Sequence, residues 1–134
     1  MGARINYVFK DSEPAVGEPT AYVVLYSHWG QTDWQPDIAA ALTHARVRWN
    51  DSSYATRMMI SYLIQHSILE EHGFGIYAIN DRGSMDLGEQ TVVIDFTNNT
   101  VTDIHPVEFN AFINAYGPEL TRNYSSQYDV GCAN

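Results

Sequence analysis

The sequence predicts an α+β fold with a largely antiparallel sheet of about five strands and three helices packed on one face. Apolar runs rich in β-branched and aromatic residues come in groups, two before the first helical segment and three after the second. The helical segments carry apolar residues at intervals of three and four. Because strands and helices do not alternate strictly, we do not expect a parallel βαβ arrangement.

Two strands precede the first helix. The segment from Arg4 to Phe9 alternates and contains β-branched and aromatic residues. Ala21 to Tyr26 is a nearly continuous apolar run, which is typical of a central strand covered on at least one face. Between them, Asp11 to Pro19 contains two prolines and a glycine. We therefore expect a loop there.

Two helices with a short connection follow the second strand. Thr32 and Asp33 provide an N-cap signal for a helix from about Trp34 to Val47. The segment from Trp49 to Ser52 breaks this helix and caps a second one, for which Gly73 is the stop signal. The buried stripe of the second helix is expected at Tyr54, Met58, Tyr62, Leu63, His66 and Leu69.

The remaining elements are three strands and a helix. Phe74 to Ile79 and Thr91 to Phe96 have strand character, and a tight turn at Asn98-Asn99 leads into a strand from Val101 to Ile104. His105-Pro106 ends that strand and opens the last helix. The apolar face of this helix is expected to hold Phe109, Phe112, Ile113 and Tyr116.

The domain organisation is expected to be one α+β domain over residues 1–117 and an irregular C-terminal tail over residues 118–134. The single cysteine, Cys132, excludes an intrachain disulfide and a thiolate zinc site, which fits a reducing interior. No segment approaches the roughly 18 apolar residues of a membrane span. We therefore expect a cytoplasmic protein that does not enter membranes.

The charge of the chain is strongly acidic, with 16 Asp and Glu against 7 Lys and Arg and a formal net charge of -9. Such a charge disfavours non-specific binding of nucleic acid. Lys10 is the only lysine, and three of the six arginines fall within one short segment, at Arg46, Arg48 and Arg57. Arginine suits bidentate contact with phosphate or carboxylate, so this segment predicts an anion site. Charges at helix ends and surface ion pairs are the alternative interpretation.

A second polar and aromatic cluster lies where the Ala21–Tyr26 strand leads through Gly30 into a helix N-terminus. Such a junction directs backbone N–H groups toward an anion. We predict that Ser27 and His28 donate hydrogen bonds there and that Trp29 or Trp34 supplies a stacking face. Helix capping by the polar residues and core packing by the tryptophans are the alternative.

The five histidines show no metal-binding spacing, and the chain contains no phosphate-binding glycine loop of the known kinds. We expect no metal and no cofactor. If the protein is an enzyme, His28 is the candidate general acid or base. The sequence favours a protein without catalytic activity.

Several segments carry a resemblance to a family of small uncharacterised proteins from bacteria and their phages. They are Gly2 to Phe9, Val24 to Gly30 with its Leu-Tyr-Ser-His-Trp-Gly sequence, Ala45 to Trp49, Tyr54 to Arg57, and Gly73 to Tyr77. The resemblance implies a bacterial or phage origin and a cytoplasmic location. By analogy, small phage proteins of this kind counter host defence, some by sequestering nucleotide signals.

The leading hypothesis is a homo-oligomeric protein that binds and sequesters a small anionic ligand, such as a nucleotide immune signal. In this hypothesis the arginines contact phosphate or carboxylate and the polar side chains fix the edge of a base. The stacking residues would be Trp29 with Trp49 or Tyr54. One alternative is an acidic protein-interaction inhibitor or DNA mimic that blocks a host defence protein. The other is a small nucleotide hydrolase that depends on His28.

Overall fold

A computed structural model describes residues 4–10, 21–28, 34–80 and 90–117 of the chain. The predicted tail over residues 118–134 lies outside the described residues, as do Trp29 and Cys132. Within the described ranges there are six strands and three α-helices. In chain order they are β1 Ile5–Lys10, β2 Tyr22–Ser27, α1 Trp34–His44, α2 Ser52–Leu63, β3 Phe74–Ile79, β4 Gln90–Asp95, β5 Thr100–Thr102, β6 Pro106–Glu108 and α3 Phe109–Tyr116.

The described strands form one open sheet in the order β3-β2-β1-β4-β5-β6. The β1–β4 pair is parallel and the other four pairs are antiparallel. This mostly antiparallel α+β fold confirms the fold class predicted from the sequence. The strand beyond the expected five is the short β6, which pairs Pro106 with Thr102 and Glu108 with Thr100.

All three helices pack on one face of the sheet, hereafter the helix face. Alternate residues of β1, namely Ile5, Tyr7 and Phe9, belong to the core beneath them, as the two-residue period of a strand requires. The same core contains residues from all three helices: Trp34, Ile38, Leu42, Ala55, Met59, Phe109, Phe112 and Ile113. Strand β1 is therefore the central strand under the helical layer.

The opposite face of the sheet holds a smaller apolar cluster. Val8, Tyr22, Val24 and Val93 are buried there, and Ile79 packs against them. Asn6 lies on the same face, because it is two residues from Val8 in β1. Side chains of β1 and β2 are therefore buried on both faces of the sheet.

The two long helices are shorter than the sequence predicts. Helix α1 ends at His44 rather than at Val47, and Arg46–Arg48 form a 3₁₀ turn. Helix α2 ends at Leu63, so the prediction that His66 and Leu69 are buried is wrong; Leu69 is 94% exposed. The prediction that Tyr54 is buried is also wrong, because this residue is 52% exposed. The twelve residues of α2 span about 18 Å, close to the length of the strands beneath. Continuing the helix to Leu69 would carry it about 9 Å further.

The last helix begins later than the sequence predicts. Pro106 lies in β6, and α3 starts at Phe109. The proline was expected to begin the helix, but residues 106–108 pair with β5 and are therefore extended. The carboxylate of Glu108 then caps α3, because it accepts hydrogen bonds from the backbone N–H groups of Asn110 and Ala111 at 3.1 and 3.2 Å.

Candidate functional site

The arginine-rich segment forms the connection between α1 and α2. The backbone N–H of Arg48 donates to the carbonyl of Ala45 at 2.8 Å, and that of Asp51 donates to the carbonyl of Arg48 at 2.8 Å. These short-range bonds wind residues 45–51 into consecutive turns. Because α1 ends at His44 and Arg48 lies in the 3₁₀ turn, these two residues do not share a face of one helix.

Trp49 anchors this connection to the core. Its indole Nε1 donates to the carbonyl of Leu42 at 3.0 Å, and its ring lies 4.9 Å from that of Phe109. The guanidinium of Arg46 lies 4.7 Å from the ring centroid of Trp49. With Arg46 and Phe109 both against it, the ring offers little free face for a ligand to stack on.

Arg46 is held within the protein. Its Nη1 donates to Oδ1 of Asn110 at 2.9 Å, which joins the α1–α2 connection to α3. Its Nε is buried and has no hydrogen-bond partner among the described residues. Arg46 therefore has a structural role in this geometry, alongside its predicted role as a ligand-binding residue.

Arg48 and Tyr54 form an exposed pair. The guanidinium of Arg48 lies 4.4 Å from the ring centroid of Tyr54, and its Nη1 lies 3.5 Å from Oδ2 of Asp51. The Arg48 side chain is 47% exposed and Tyr54 is 52% exposed. This arrangement presents a planar cation stacked on an aromatic ring at the protein surface.

An open cleft of about 440 Å³ lies at this connection, and we call it the arginine cleft. Its lining residues are Arg48, Trp49, Asn50, Asp51, Ser52 and Phe96. Helix α2 begins at the cleft, and the side chain of its N-cap residue, Asp51, makes no cap hydrogen bond to the backbone. The Asp51 carboxylate instead accepts from Oγ of Ser53 at 3.3 Å and faces Arg48. The positive end of the helix dipole and a guanidinium thus border one cleft.

Arg57 lies outside the arginine cleft. It follows Tyr54 by one turn of α2, is exposed, and donates from Nη1 to Oγ of Ser61 at 3.3 Å. Of the three predicted arginines, only Arg48 lines the cleft.

Ser27 and His28 lie at the other end of the sheet. Ser27 is buried and pairs with Ile5, at the start of β1. The arginine cleft borders Phe96, whose backbone N–H donates to the carbonyl of Lys10 at the end of β1. A six-residue strand spans about 17 Å, so the structure does not bring Ser27 and His28 together with Arg48.

Hydrogen bonds link several polar side chains on the face of the sheet opposite the helices. His28 Nδ1 and the hydroxyl of Tyr26 are 3.3 Å apart, and the backbone N–H of His28 donates to the carbonyl of Gly73. The hydroxyl of Tyr77 donates to Oδ1 of Asn6 at 3.3 Å, and Nδ2 of the buried Asn6 has no hydrogen-bond partner in the part of the chain that the structure describes. In the described ranges, no group of three His, Cys, Asp or Glu residues is arranged to hold a metal ion.

The sequence did not point to three residues that line the arginine cleft. Asn50 and Ser52 had been interpreted only as helix-breaking and capping residues, and Phe96 only as the end of a strand. The capping pattern in the sequence correctly located the start of α2, and the residues that begin this helix also line the cleft. Phe96 gave no comparable signal, since its position depends on the pairing of β4 with β1.

The fold and this geometry define an α+β protein with an open mixed sheet, a helical layer on one face, and a polar cleft between a helix connection and the end of a central strand. No family model matches the chain, and neither a curated protein nor a solved structure matches it. Among the described helices, none is both long enough and apolar enough to cross a membrane.

Proposed function

We propose that the protein binds a small anionic ligand with a planar ring, such as a nucleotide, in the arginine cleft. The observation that carries this proposal is the position of Arg48 at the mouth of a cleft that also contains the N-terminus of α2. Guanidinium groups and helix N-termini both favour phosphate oxygens. A ligand phosphate between them would contact both.

The carboxylate of Asp51 is the group that such a phosphate would displace. The Arg48–Asp51 pair is 3.5 Å apart, and both side chains are about half exposed. Exposed ion pairs contribute only about 0–1 kcal/mol, so turning Arg48 from Asp51 toward a ligand costs little. A phosphate group accepts two parallel bonds from arginine, as a carboxylate does, and its other oxygen can accept from the N–H groups at the start of α2.

Tyr54 is the stacking residue in this proposal. One face of its ring contacts Arg48, and the residue is half exposed. A base could lie on the Arg48–Tyr54 pair, whereas the Trp49 ring is already contacted by Arg46 and Phe109. Trp49 then acts by fixing the cleft wall.

The proposal is binding without turnover. His28, the candidate catalytic residue, lies about one strand length from the arginine cleft, so it does not act on a ligand bound there. The resemblance to small bacterial and phage proteins extends the proposal to sequestration of a nucleotide signal in the cytoplasm of a bacterial cell. Recovery of the ligand unchanged by mass spectrometry after incubation is the expected result.

Isothermal titration calorimetry with cyclic dinucleotides, cyclic trinucleotides, ADP-ribose and inorganic phosphate tests the proposal. For any ligand that binds, we expect Arg48→Ala to weaken binding at least about tenfold, which corresponds to about 1.4 kcal/mol. Asp51→Asn should strengthen binding, because it removes the competing carboxylate.

Arg57→Ala is the matched control, since it removes an exposed arginine of α2 that lies outside the arginine cleft. It should leave the dissociation constant unchanged. Absence of heat with every ligand would exclude the proposal, as would equal losses for Arg48→Ala and Arg57→Ala.

A further inference from the structure

Strand β3 forms an edge of the sheet and pairs with β2 alone among the described residues. The hydrogen bond from the backbone N–H of His28 to the carbonyl of Gly73 fixes the phase of this ladder. Because antiparallel pairs alternate, the backbone groups of residues 73, 75, 77 and 79 point toward β2. The backbone groups of Phe74, Ile76 and Ala78 lie in the plane of the sheet and point away from β2, toward the edge.

Within the described residues, the sequence of β3 lacks the side chains that normally protect an edge strand. Phe74–Ile79 contains no charged residue and no proline, whereas protected edges usually carry lysine, proline or a bulge. Its helix-face side chains are apolar. Ile76 is 57% exposed, and Val23 on the adjacent strand is 37% exposed.

We infer that β3 pairs antiparallel with β3 of a second copy of this chain, which joins the two sheets across a two-fold axis. An axis perpendicular to the sheet and centred on Tyr77 keeps the helix faces of both copies on the same side. The outward backbone groups of Ile76 then bond to those of Ala78 in the second copy, and the reverse pair forms by symmetry. Both copies use the same edge strand in this contact, so the assembly contains two chains and does not grow further.

The side chains of β3 are self-complementary in this register. Ile76 lies opposite Ala78 of the second copy on the helix face, so a large side chain meets a small one. On the opposite face, Gly75 meets Ile79 of the second copy. A Cβ added to Gly75 would have nothing within 4 Å, which leaves space for that isoleucine. Glycine in a strand often marks such a close approach of another chain.

The charge distribution permits this contact despite the net charge of -9. No Asp, Glu, Lys, Arg or His lies in the pairing strands. Glu70 and Glu71 precede the Phe74 end of β3, and antiparallel pairing places the same residues of the second copy at the other end. A strand length of about 17 Å exceeds the Debye length of about 8 Å at physiological salt. The carboxylates at the two ends therefore repel one another weakly.

Sedimentation equilibrium over a dilution series tests this inference. We expect the wild-type protein to reach twice the 15.1 kDa mass of one chain. Ala78→Pro removes an outward N–H without removing a bond to β2, because proline is accepted at such edge positions. This variant should stay monomeric. Gly75→Val should also weaken the dimer, since its side chain fills the space left for Ile79 of the second copy.

Circular dichroism and thermal unfolding establish that each variant folds. Ile104→Lys is the matched control, because it places a charge on another exposed apolar residue away from β3 and should leave the dimer intact. A monomeric wild-type protein would overturn the inference, and so would an assembly larger than two. Dimers that persist in both folded β3 variants would overturn it as well.

Discussion

The buried phenol of Tyr7 makes folding stability sensitive to alkaline pH. Burial, and then the nearby carboxylate of Asp37, raise the pKa of this hydroxyl above its usual range. The folded state therefore holds the proton more tightly than the unfolded chain, whose tyrosines ionise near pH 10. The contribution of this hydroxyl to folding stability is fully present below about pH 10. It is lost as the pH rises further, by up to about 1.4 kcal/mol per pH unit.

Tyr7→Phe should remove this loss. Urea unfolding at a series of pH values should show a shallower decline in the free energy of unfolding above about pH 10 than for the wild type. Tyr54→Phe, which changes a half-exposed ring, should retain the wild-type slope. A Tyr7→Phe slope equal to the wild-type slope would contradict the assignment.

The arginines show what the sequence can and cannot predict at this scale. Their concentration between residues 46 and 57 indicated a cationic region, and the structure places Arg48 at a cleft. The sequence alone could not distinguish the exposed Arg48 from Arg46, because Arg46 bonds to Asn110, which is 64 positions away. The partners of a side chain depend on packing that local sequence does not encode.

At the scale of single elements, α3 depends on an unusual cap. Helix N-caps are normally Ser, Thr, Asp or Asn, whereas here the longer side chain of Glu108 accepts from two backbone N–H groups. We expect Glu108→Ala to lower the free energy of unfolding by about 1 kcal/mol. Glu108→Gln keeps an acceptor and should lose less.

Urea unfolding at neutral pH measures both changes. Glu70→Ala is the control, because it removes an exposed glutamate that lies outside the helices. The carboxylate of Glu70 is 3.6 Å from Nε2 of His72. Equal losses for Glu70→Ala and Glu108→Ala would show that the cap contributes nothing. This helix start was not predictable from Pro106, since a proline suits both a first helical turn and a short edge strand.

The elements with strong local patterns were predicted well, and those set by tertiary contacts were not. The predicted Phe74–Ile79 strand has the bounds of β3, and Trp34 begins α1 as predicted. Strand β6 has only three residues, too few for an alternating pattern to show. The parallel pairing of β1 with β4 is also invisible locally, because these strands are far apart in the chain.

At the scale of the whole molecule, the arginine cleft and the β3 edge are separate. The cleft borders Phe96 beyond the end of β4, whereas β3 is three strands away across β2 and β1. Neighbouring strands are about 4.8 Å apart, so the two regions are more than about 14 Å from each other. Each proposed contact uses residues that the other does not touch.

Ligand binding and dimer formation should therefore be independent. We expect the Ala78→Pro monomer to bind ligand with the wild-type dissociation constant and Arg48→Ala to dimerise like the wild type. Calorimetry and sedimentation on the single variants and the double variant measure the coupling free energy, which should stay below about 0.5 kcal/mol for sites this far apart. Loss of binding in the folded Ala78→Pro monomer would instead require a ligand site completed by the second copy. That result would contradict the placement of the site in the arginine cleft of a single chain, while leaving the dimer itself in place.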